Sequence, residues 1–226
     1  PPDTFAGTTV NMIRPILLTV ACAAASWCSA QVNEPGTVQV GVGGELGFFA
    51  THFVSEMTVP FLGHKTSSHD DGAVTTSLPI DLQVGVARRW SIGISLDPGR
   101  YVDSAGTQPN AFLVAGLQPR FYAVNGDHFA LHLNAEVGYG VLKIRSNENT
   151  NGQFEDTYAG MHVRVGTEAQ VYFGRVFGLH AGLKYALHGM EWKRRDPEND
   201  LLDLLDYKAR LRTSGLLVQL GLQVRF

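Results

Sequence analysis

The sequence predicts an all-β protein in which eight antiparallel strands form an up-and-down transmembrane β-barrel. Apolar and polar residues alternate with a period of two through most of residues 31–226, which indicates strands rather than helices. The connections between the predicted strands are alternately short and long, and aromatic residues gather near both strand ends. Short turns on one rim, long loops on the other and two aromatic belts are typical of barrels that cross a membrane.

The N-terminal part of the chain is expected to lie outside this barrel. Residues 1–11 precede the first methionine and are interpreted as an upstream or non-native segment. Residues 12–30 have one arginine, an apolar stretch and a final run of small residues, which is the pattern of a secretory signal peptide. Both cysteines fall in this leader, so the predicted barrel domain, residues 31–226, contains none and is not stabilised by disulfides.

Composition excludes other classes of protein. The formal net charge of −3 and the pI near 6.2 provide no basic stripe, so no nucleic acid partner is expected. The apolar stretch of the leader is shorter than the roughly 20 residues of a transmembrane helix, and no later run approaches that length. No cofactor is expected either.

Four predicted strands occupy the first half of the barrel domain. In each of them, apolar residues occupy alternate positions, and polar residues or glycines lie between them. The apolar positions are Val38, Val40, Val42, Leu46 and Phe48 in the first strand, Ile80, Leu82, Val84 and Val86 in the second, Trp90, Ile92, Ile94 and Leu96 in the third, and Leu113, Ala115, Leu117 and Phe121 in the fourth.

The second half of the domain repeats the pattern more regularly. Its four strands complete an even count, as in single-chain outer-membrane barrels. The apolar positions are Phe129, Leu131, Leu133, Val137 and Tyr139 in the fifth strand, Met161, Val163, Val165, Ala169, Val171 and Phe173 in the sixth, Phe177, Leu179, Ala181, Leu183 and Tyr185 in the seventh, and Leu216, Val218, Leu220, Leu222, Val224 and Phe226 in the eighth.

The connections predict which ends of the strands share a rim. Tight turns are expected at 88–89, 125–127 and 174–175, and long polar loops at 55–77, 98–110, 145–157 and 189–206. Successive connections of a meander lie at opposite ends, so the short turns share one rim and the long loops the other. Aromatic belts are expected at both rims: Trp90, Phe121, Phe129, Phe173, Phe177 and Phe226 at the short-turn end, and Phe48, Phe53, Tyr139, Tyr158, Tyr185 and Tyr207 at the other.

The last residues carry a resemblance to a known group of proteins. Leu222, Val224 and Phe226 resemble the C-terminal signal by which bacterial outer-membrane proteins are recognised for assembly, although an aromatic residue is common where Val224 stands. With the leader, strand count and loop asymmetry, residues 31–226 resemble the small eight-stranded outer-membrane barrels of the OmpA-transmembrane and OmpX type. The resemblance implies a location in the outer membrane of a Gram-negative bacterium. It also implies contact with the outer-membrane assembly machinery, outer-membrane lipids and lipopolysaccharide.

The residues between the apolar positions of each strand form a second column, which carries charged residues and histidines. This polar column must face the lumen if the apolar column faces lipid. An eight-stranded barrel is only wide enough for side chains to fill it. Because buried charges persist mainly when they are paired, these groups are expected to pair and plug the bore. An ion path is the alternative. The predicted lumen polar network comprises Glu45, Asp81, Arg120, His132, Glu136, His162, Arg164, Glu168, His180, Lys184, His188 and Arg225.

The remaining motifs predict little chemistry. The segment "GHKTSSHDDG" fits no zinc spacing and is interpreted as a surface loop, so no metal site is expected. The segment "DPENDLLDLLDYKARLR" predicts a short helix in the fourth long loop, with a partner-binding or lipid-contacting role as the alternative. No nucleophile motif is present, and we therefore expect no enzymatic activity.

These observations predict an outer-membrane barrel with a structural role or a surface-interaction role through its extracellular loops, which could bind an extracellular partner. Because small barrels of this kind serve several functions, a lipid-modifying enzyme and a narrow pore remain alternatives.

Overall fold

The structure is a computed structural model and describes residues 31–59, 63–104, 108–148, 152–196 and 207–226. The predicted signal peptide, the segment before it and residues 197–206 of the predicted helical segment lie outside these residues. The described residues form nine antiparallel strands: β1 (Val38–Val59), β2 (Gly63–Ser77), β3 (Ile80–Ala87), β4 (Trp90–Asp103), β5 (Asn110–Asn125), β6 (Phe129–Glu148), β7 (Gly152–Tyr172), β8 (Phe177–Asp196) and β9 (Lys208–Arg225). None of the described segments is a helix long and apolar enough to cross a membrane.

The sheet closes on itself, because β1 pairs with β9 as well as with β2 and β3. The structure therefore confirms an all-β, up-and-down barrel, with nine strands instead of the predicted eight. The extra strand arises because β2 and β3 run end to end between β1 and β4. Leu78 and Pro79 separate them, and proline has no N–H to donate to a ladder. The closed wall consequently has eight strand positions.

The hydrogen-bond register shows how steeply the strands are staggered. A row of directly paired residues that starts at Val42 returns to β1 at His52, ten residues further along the strand. The row passes through Ile80, Leu96, Ala115, Tyr139, Met161, Gly189 and Arg212. This stagger tilts the strands and sets the width of the barrel together with their number.

The alternation in sequence becomes the two faces of the wall. The odd and even columns of every strand have different environments, because successive side chains of a strand point to opposite faces. In β3, for example, Asp81 and Gln83 are buried, whereas Ile80, Leu82 and Val84 are exposed. The large exposed hydrophobic residues form a band around the outside, and the polar column fills the lumen.

Aromatic residues lie at both ends of this band, but the prediction for the long-loop end, called the upper end below, is wrong in part. At the short-turn end Trp90, Phe129, Phe173, Phe177 and Phe226 are exposed, and Phe121 packs against Trp90 with ring centroids 5.0 Å apart. At the other end Phe48, Tyr139 and Tyr185 are exposed. In contrast, Phe53, Tyr158 and Tyr207 have the parity of the lumen column, and they pack inside the barrel.

The connections agree with the prediction at one rim and differ from it at the other. Residues 88–89, 126–128 and 173–176 connect strands as tight turns. The predicted long loops are largely strand, because β1, β2, β6, β7 and β8 continue well past the upper aromatic residues. With up to 22 residues per strand, the wall is about twice as long as the ~9–11 residues needed to cross a bilayer.

Candidate functional site in the barrel lumen

The barrel wall brings the twelve predicted lumen residues inside. All of them are at most 7 % exposed. Ten form ion pairs, counting contacts between histidine and carboxylate, and these pairs make two clusters centred on Arg164 and on Glu168. The two remaining residues, His188 and Arg225, lie above and below the clusters with different partners.

The first cluster surrounds Arg164 on β7. Its guanidinium forms an ion pair with Asp97, and Nη1 lies 3.8 Å from Glu45 Oε1 and 3.8 Å from Glu136 Oε1. Two other side chains contact the same carboxylates, as Lys184 Nζ lies 3.4 Å from Glu45 Oε2 and His162 Nε2 lies 2.9 Å from Glu136 Oε1. Three carboxylates from β1, β4 and β6 thus meet one guanidinium in the middle of the bore.

The second cluster lies nearer the short turns. Arg120 Nη2 donates to Asp81 Oδ1 at 2.8 Å and to Gln118 Oε1 at 2.9 Å. Glu168 Oε1 lies 3.3 Å from His132 Nε2 and 3.9 Å from His180 Nδ1. Buried glutamines extend this cluster, since Gln83 Nε2 also donates to Gln118 Oε1 at 2.9 Å. Charges and amides therefore fill this part of the bore as well.

His188 and Arg225 do not form the ion pairs expected of them. His188 stacks on His162 with ring centroids 5.6 Å apart and contacts the edges of Phe49 and Phe112. Neither of its ring nitrogens has a hydrogen-bond partner among the described residues. Arg225 lies over the ring of Tyr172 and donates to backbone carbonyls instead of a carboxylate.

Above the charges, the lumen becomes apolar. This upper apolar cluster begins beside His188 and reaches into the part of the wall that extends past the apolar outer band. A cavity inside it has about 10 Å³ of free volume, which is at most enough for one water molecule. Its buried members are Phe49, Ala73, Tyr101, Phe112, Val114, Leu142, Tyr158, Ala186, Met190, Ala209, Leu211 and Leu217.

Ionic groups lie at the upper rim, on both sides of the wall. Inside, Asp156 accepts from Trp192 Nε1 at 3.0 Å and from both Nε and Nη2 of Arg195, and these hydrogen bonds raise the pKa of the Arg195 guanidinium. Outside, hydrogen bonds from Lys143 and Arg145 lower the pKa of the Glu155 carboxyl. The extended wall is thus tied together by ion pairs above the apolar outer band.

At the opposite end, the chain before β1 folds back into the mouth of the barrel, which sequence reasoning missed. Val32 and Asn33 are completely buried, and Val32 forms a small apolar cluster with Tyr122, Ala130 and Tyr172. Gln39 Nε2 donates to the carbonyl of Val32 at 2.9 Å. These contacts close the lumen at the short-turn rim.

Asn33 anchors this segment to the short turns. Its Nδ2 donates to the carbonyl of Ala87 at 2.8 Å and lies 3.3 Å from the carbonyls of Arg88 and Trp90. Its backbone N–H donates to Asn125 Oδ1 at 3.0 Å, and Asn125 Nδ2 donates back to the carbonyl of Asn33 at 2.7 Å. One asparagine therefore joins the turns after β3 and β5.

The described residues offer few sites for other chemistry. The histidines and aspartates of the segment 63–72 lie in β2, where Asp70 pairs with His52 of β1. No described group of three His, Cys, Asp or Glu could hold a metal ion.

Asp97 is the main lumen residue that the prediction omitted. It has the same parity as Ser91 and Ser95, so its inward direction was readable from the alternation.

Comparison with known proteins supports the fold. No protein-family model matches the sequence, and no curated protein matches it. Among solved structures, OprG of Pseudomonas aeruginosa is similar with a TM-score of 0.52 and 11 % identity, over 86 % of this chain and 97 % of that chain. Ail of Yersinia pestis is similar with a TM-score of 0.43 and 15 % identity, over 85 % of this chain and 99 % of that one.

The closed wall, the apolar outer band and the similarity to OprG define the fold. The chain has the fold of the small bacterial outer-membrane β-barrels.

Proposed function

We propose that this chain is a non-enzymatic outer-membrane barrel with a plugged bore, and that it has a structural or surface-interaction role through its extracellular part. The observation that carries the proposal is the Arg164 cluster, which draws carboxylates from three different strands across the bore. Charges buried at this depth cost several kcal/mol each unless they are paired, and here each has a partner of opposite sign. The upper apolar cluster and the segment before β1 add a seal on either side.

The plug is tested by ion conductance in planar lipid bilayers. The refolded protein should give no steady current. Removing a buried pair, with Arg164→Ser and Glu136→Ser together, should produce intermittent current because water can then enter the space. The matched control removes the exposed pair Arg145 and Glu155 in the same way and should stay silent. A steady, large current through the unchanged protein would favour the narrow pore and overturn the plugged bore.

The β1–β2 hairpin supports the surface-interaction part. Residues 63–70 of β2 are exposed on both faces, and within the described residues β2 pairs with β4 only from Ala73 to Ser77. Among the described residues, β2 from Gly63 to Asp70 therefore has a strand edge that pairs with β1 alone, to which an extended peptide could add as a further strand. We propose this edge as the contact for an extracellular partner.

The orientation of the hairpin is tested by thiol labelling on intact cells. The expected mature chain has no cysteine, so His69→Cys in the hairpin and Asp127→Cys in a short turn each provide one thiol. A membrane-impermeant maleimide should label the first on intact cells and the second only after the outer membrane is opened. The reverse pattern would place the hairpin in the periplasm and remove its proposed role.

A lipid-modifying enzyme is the second candidate, because His180 lies 3.9 Å from Glu168. That pair is buried in the bore. His188 is buried as well, against the rings of Phe49 and Phe112, so the arrangement offers no path for a lipid substrate. Hydrolysis of phospholipid and of lipopolysaccharide should therefore be undetectable. Turnover that disappears in a His180→Ala variant would contradict the non-enzymatic proposal.

The proposed partners in the membrane are its lipids, lipopolysaccharide and the assembly machinery. Lipid contact is supported by the apolar band, and assembly by the row Leu222, Val224 and Phe226 on the outer face of β9. Leu222 and Phe226 are exposed, and the backbone of Phe226 exchanges two hydrogen bonds with Val38. The terminal residue thus presents its ring outward while its backbone closes the barrel.

A further inference from the structure

The outer wall has a groove just above the upper aromatic residues. It has a volume of about 510 Å³ and lies where three small residues, Ala50, Gly189 and Ser214, interrupt the large side chains of the band. Ala50 is paired with Ser214 directly across β1 and β9, and Gly189 of β8 is paired with Arg212, two positions from Ser214, so the three small residues lie close together on the outer face. A Cβ placed on Gly189 would meet no atom within 4 Å, so the space in front of this glycine is open.

The lower part of the groove is apolar. Met161, Val163 and Leu187 form its wall, and all three are exposed hydrophobic residues that continue the lipid-facing band upward. An acyl chain lying against the band could enter this space without crossing a polar surface. The groove therefore suits the apolar part of an amphipathic molecule.

The upper part of the groove is cationic. Arg212 lies on its edge, and an adjoining groove of about 390 Å³, which shares Arg212, is lined by Arg210 and Lys193. Among the described residues, neither arginine forms an ion pair. Three acids line the two grooves, and each has another partner. Glu191 pairs with Lys193 at 3.3 Å, Asp70 pairs with His52, and Asp71 accepts a hydrogen bond from the hydroxyl of Ser104.

The height of the cations corresponds to lipid headgroups. Arg212 lies four residues above the exposed Leu216 on β9, about 13 Å along a tilted strand at ~3.3 Å per residue. A long arginine side chain in this position can reach down to the interface. Arginines at that level suit phosphate binding, because a guanidinium can bind two phosphate oxygens at once.

We propose that this groove binds a phosphate-bearing lipid of the outer leaflet, with its phosphate on Arg212 and Arg210 and an acyl chain against Met161 and Leu187. The inference rests on the membrane-lipid partner of the proposed function and assigns that partner a site. Charge complementarity selects the occupant, since neither arginine has an ion-pair partner among the described residues and a neutral lipid would supply none.

The test measures binding of fluorescent lipopolysaccharide to the purified full barrel in detergent micelles. Arg212→Gln should weaken binding by about tenfold or more, because a charge-assisted hydrogen bond is lost. Gly189→Leu fills the groove without changing any charge and should weaken binding as well. Arg100→Gln is the matched control, since Arg100 is an exposed arginine on the outer face of β4, away from the groove. Heat-modifiable mobility checks that every variant is folded.

The outcomes separate the inference from the proposed function. Binding that both groove variants weaken, and that the control leaves unchanged, supports the site. Binding that is equal in all four proteins retains lipopolysaccharide as a partner but overturns this site. If the unchanged barrel does not bind lipopolysaccharide, the lipid partner and the site both fail, whereas the conductance result for the plugged bore is unaffected.

Discussion

Arg164 on β7 and Asp97 on β4 form an ion pair across the lumen, although 67 positions separate them in sequence and two strands lie between them in the wall. A pair of this kind can form only where the bore is narrow enough for two side chains to meet. The pair therefore depends on both structural features that support the proposed function, which are the small circumference of the barrel and the charged residues on its inner face.

The first prediction concerns the stability that this guanidinium provides. Arg164→Met removes the cation shared by Asp97, Glu45 and Glu136 and leaves buried carboxylates without enough positive charge. The free energy of unfolding should fall by about 3–5 kcal/mol, which is typical when one partner of a buried ion pair is lost. Urea unfolding in lipid vesicles measures this change.

An exposed arginine outside the lumen, at the upper rim, serves as the comparison. Arg145→Met breaks the surface pair with Glu155, and its side chain is 72 % exposed. Solvent-exposed ion pairs contribute about 0–1 kcal/mol, so this variant should unfold almost as the unchanged protein does. Equal losses for both arginines would mean that the lumen charges are solvated and the bore is open.

The second prediction concerns the seal at the short-turn end. Asn33→Ala removes a side-chain donor to the carbonyls of Ala87, Arg88 and Trp90, so that these carbonyls lose a partner. We expect a loss of about 1–3 kcal/mol and faster amide hydrogen exchange in the short turns. Glu34→Ala, at the neighbouring position, is the control. Unchanged exchange in the Asn33 variant would show that the segment does not close the mouth.

Much of this architecture follows from the alternation alone. A period of two predicts strands, and the parity of each residue predicts which face it occupies, as Leu133 and Asn134 illustrate. The same rule places Phe53, Tyr158 and Tyr207 inside the barrel. The aromatic belt predicted at the long-loop end was wrong for these three residues, because it was based on their closeness to the rim and not on the face that their position in the alternation gives them.

Other features depend on contacts between distant parts of the chain. Val32 and Asn33 carry no periodic signal, and their burial arises from turns that lie more than fifty positions away. The break between β2 and β3 is marked by Pro79, but the continuation of strand pairing on both sides of it depends on β1 and β4. His188 resembles its charged neighbours in sequence, and only the fold places it among aromatic rings.

The third prediction concerns assembly. If the ring of Phe226 is part of the recognition signal, Phe226→Ala should lower the amount of folded protein in outer membranes while keeping the two backbone hydrogen bonds with Val38. Deleting Phe226 should lower it further, because those bonds are lost as well. Phe173→Ala removes an exposed aromatic residue at the same rim and should assemble normally. Normal yields of heat-modifiable protein from all three would argue against the signal.

The most direct test of the whole account is the depth dependence of an arginine on the outer face. Leu133 is 54 % exposed and lies between the two aromatic ends of β6, whereas the adjacent Asn134 is 5 % exposed and faces the lumen. Leu133→Arg should lower the free energy of unfolding in bilayers by about 2–4 kcal/mol, and Phe129→Arg, at the interface, by about 0–1 kcal/mol for the charge itself. Equal costs at both depths, or a barrel that stays folded and monomeric in plain buffer without residues 1–30, would contradict the account.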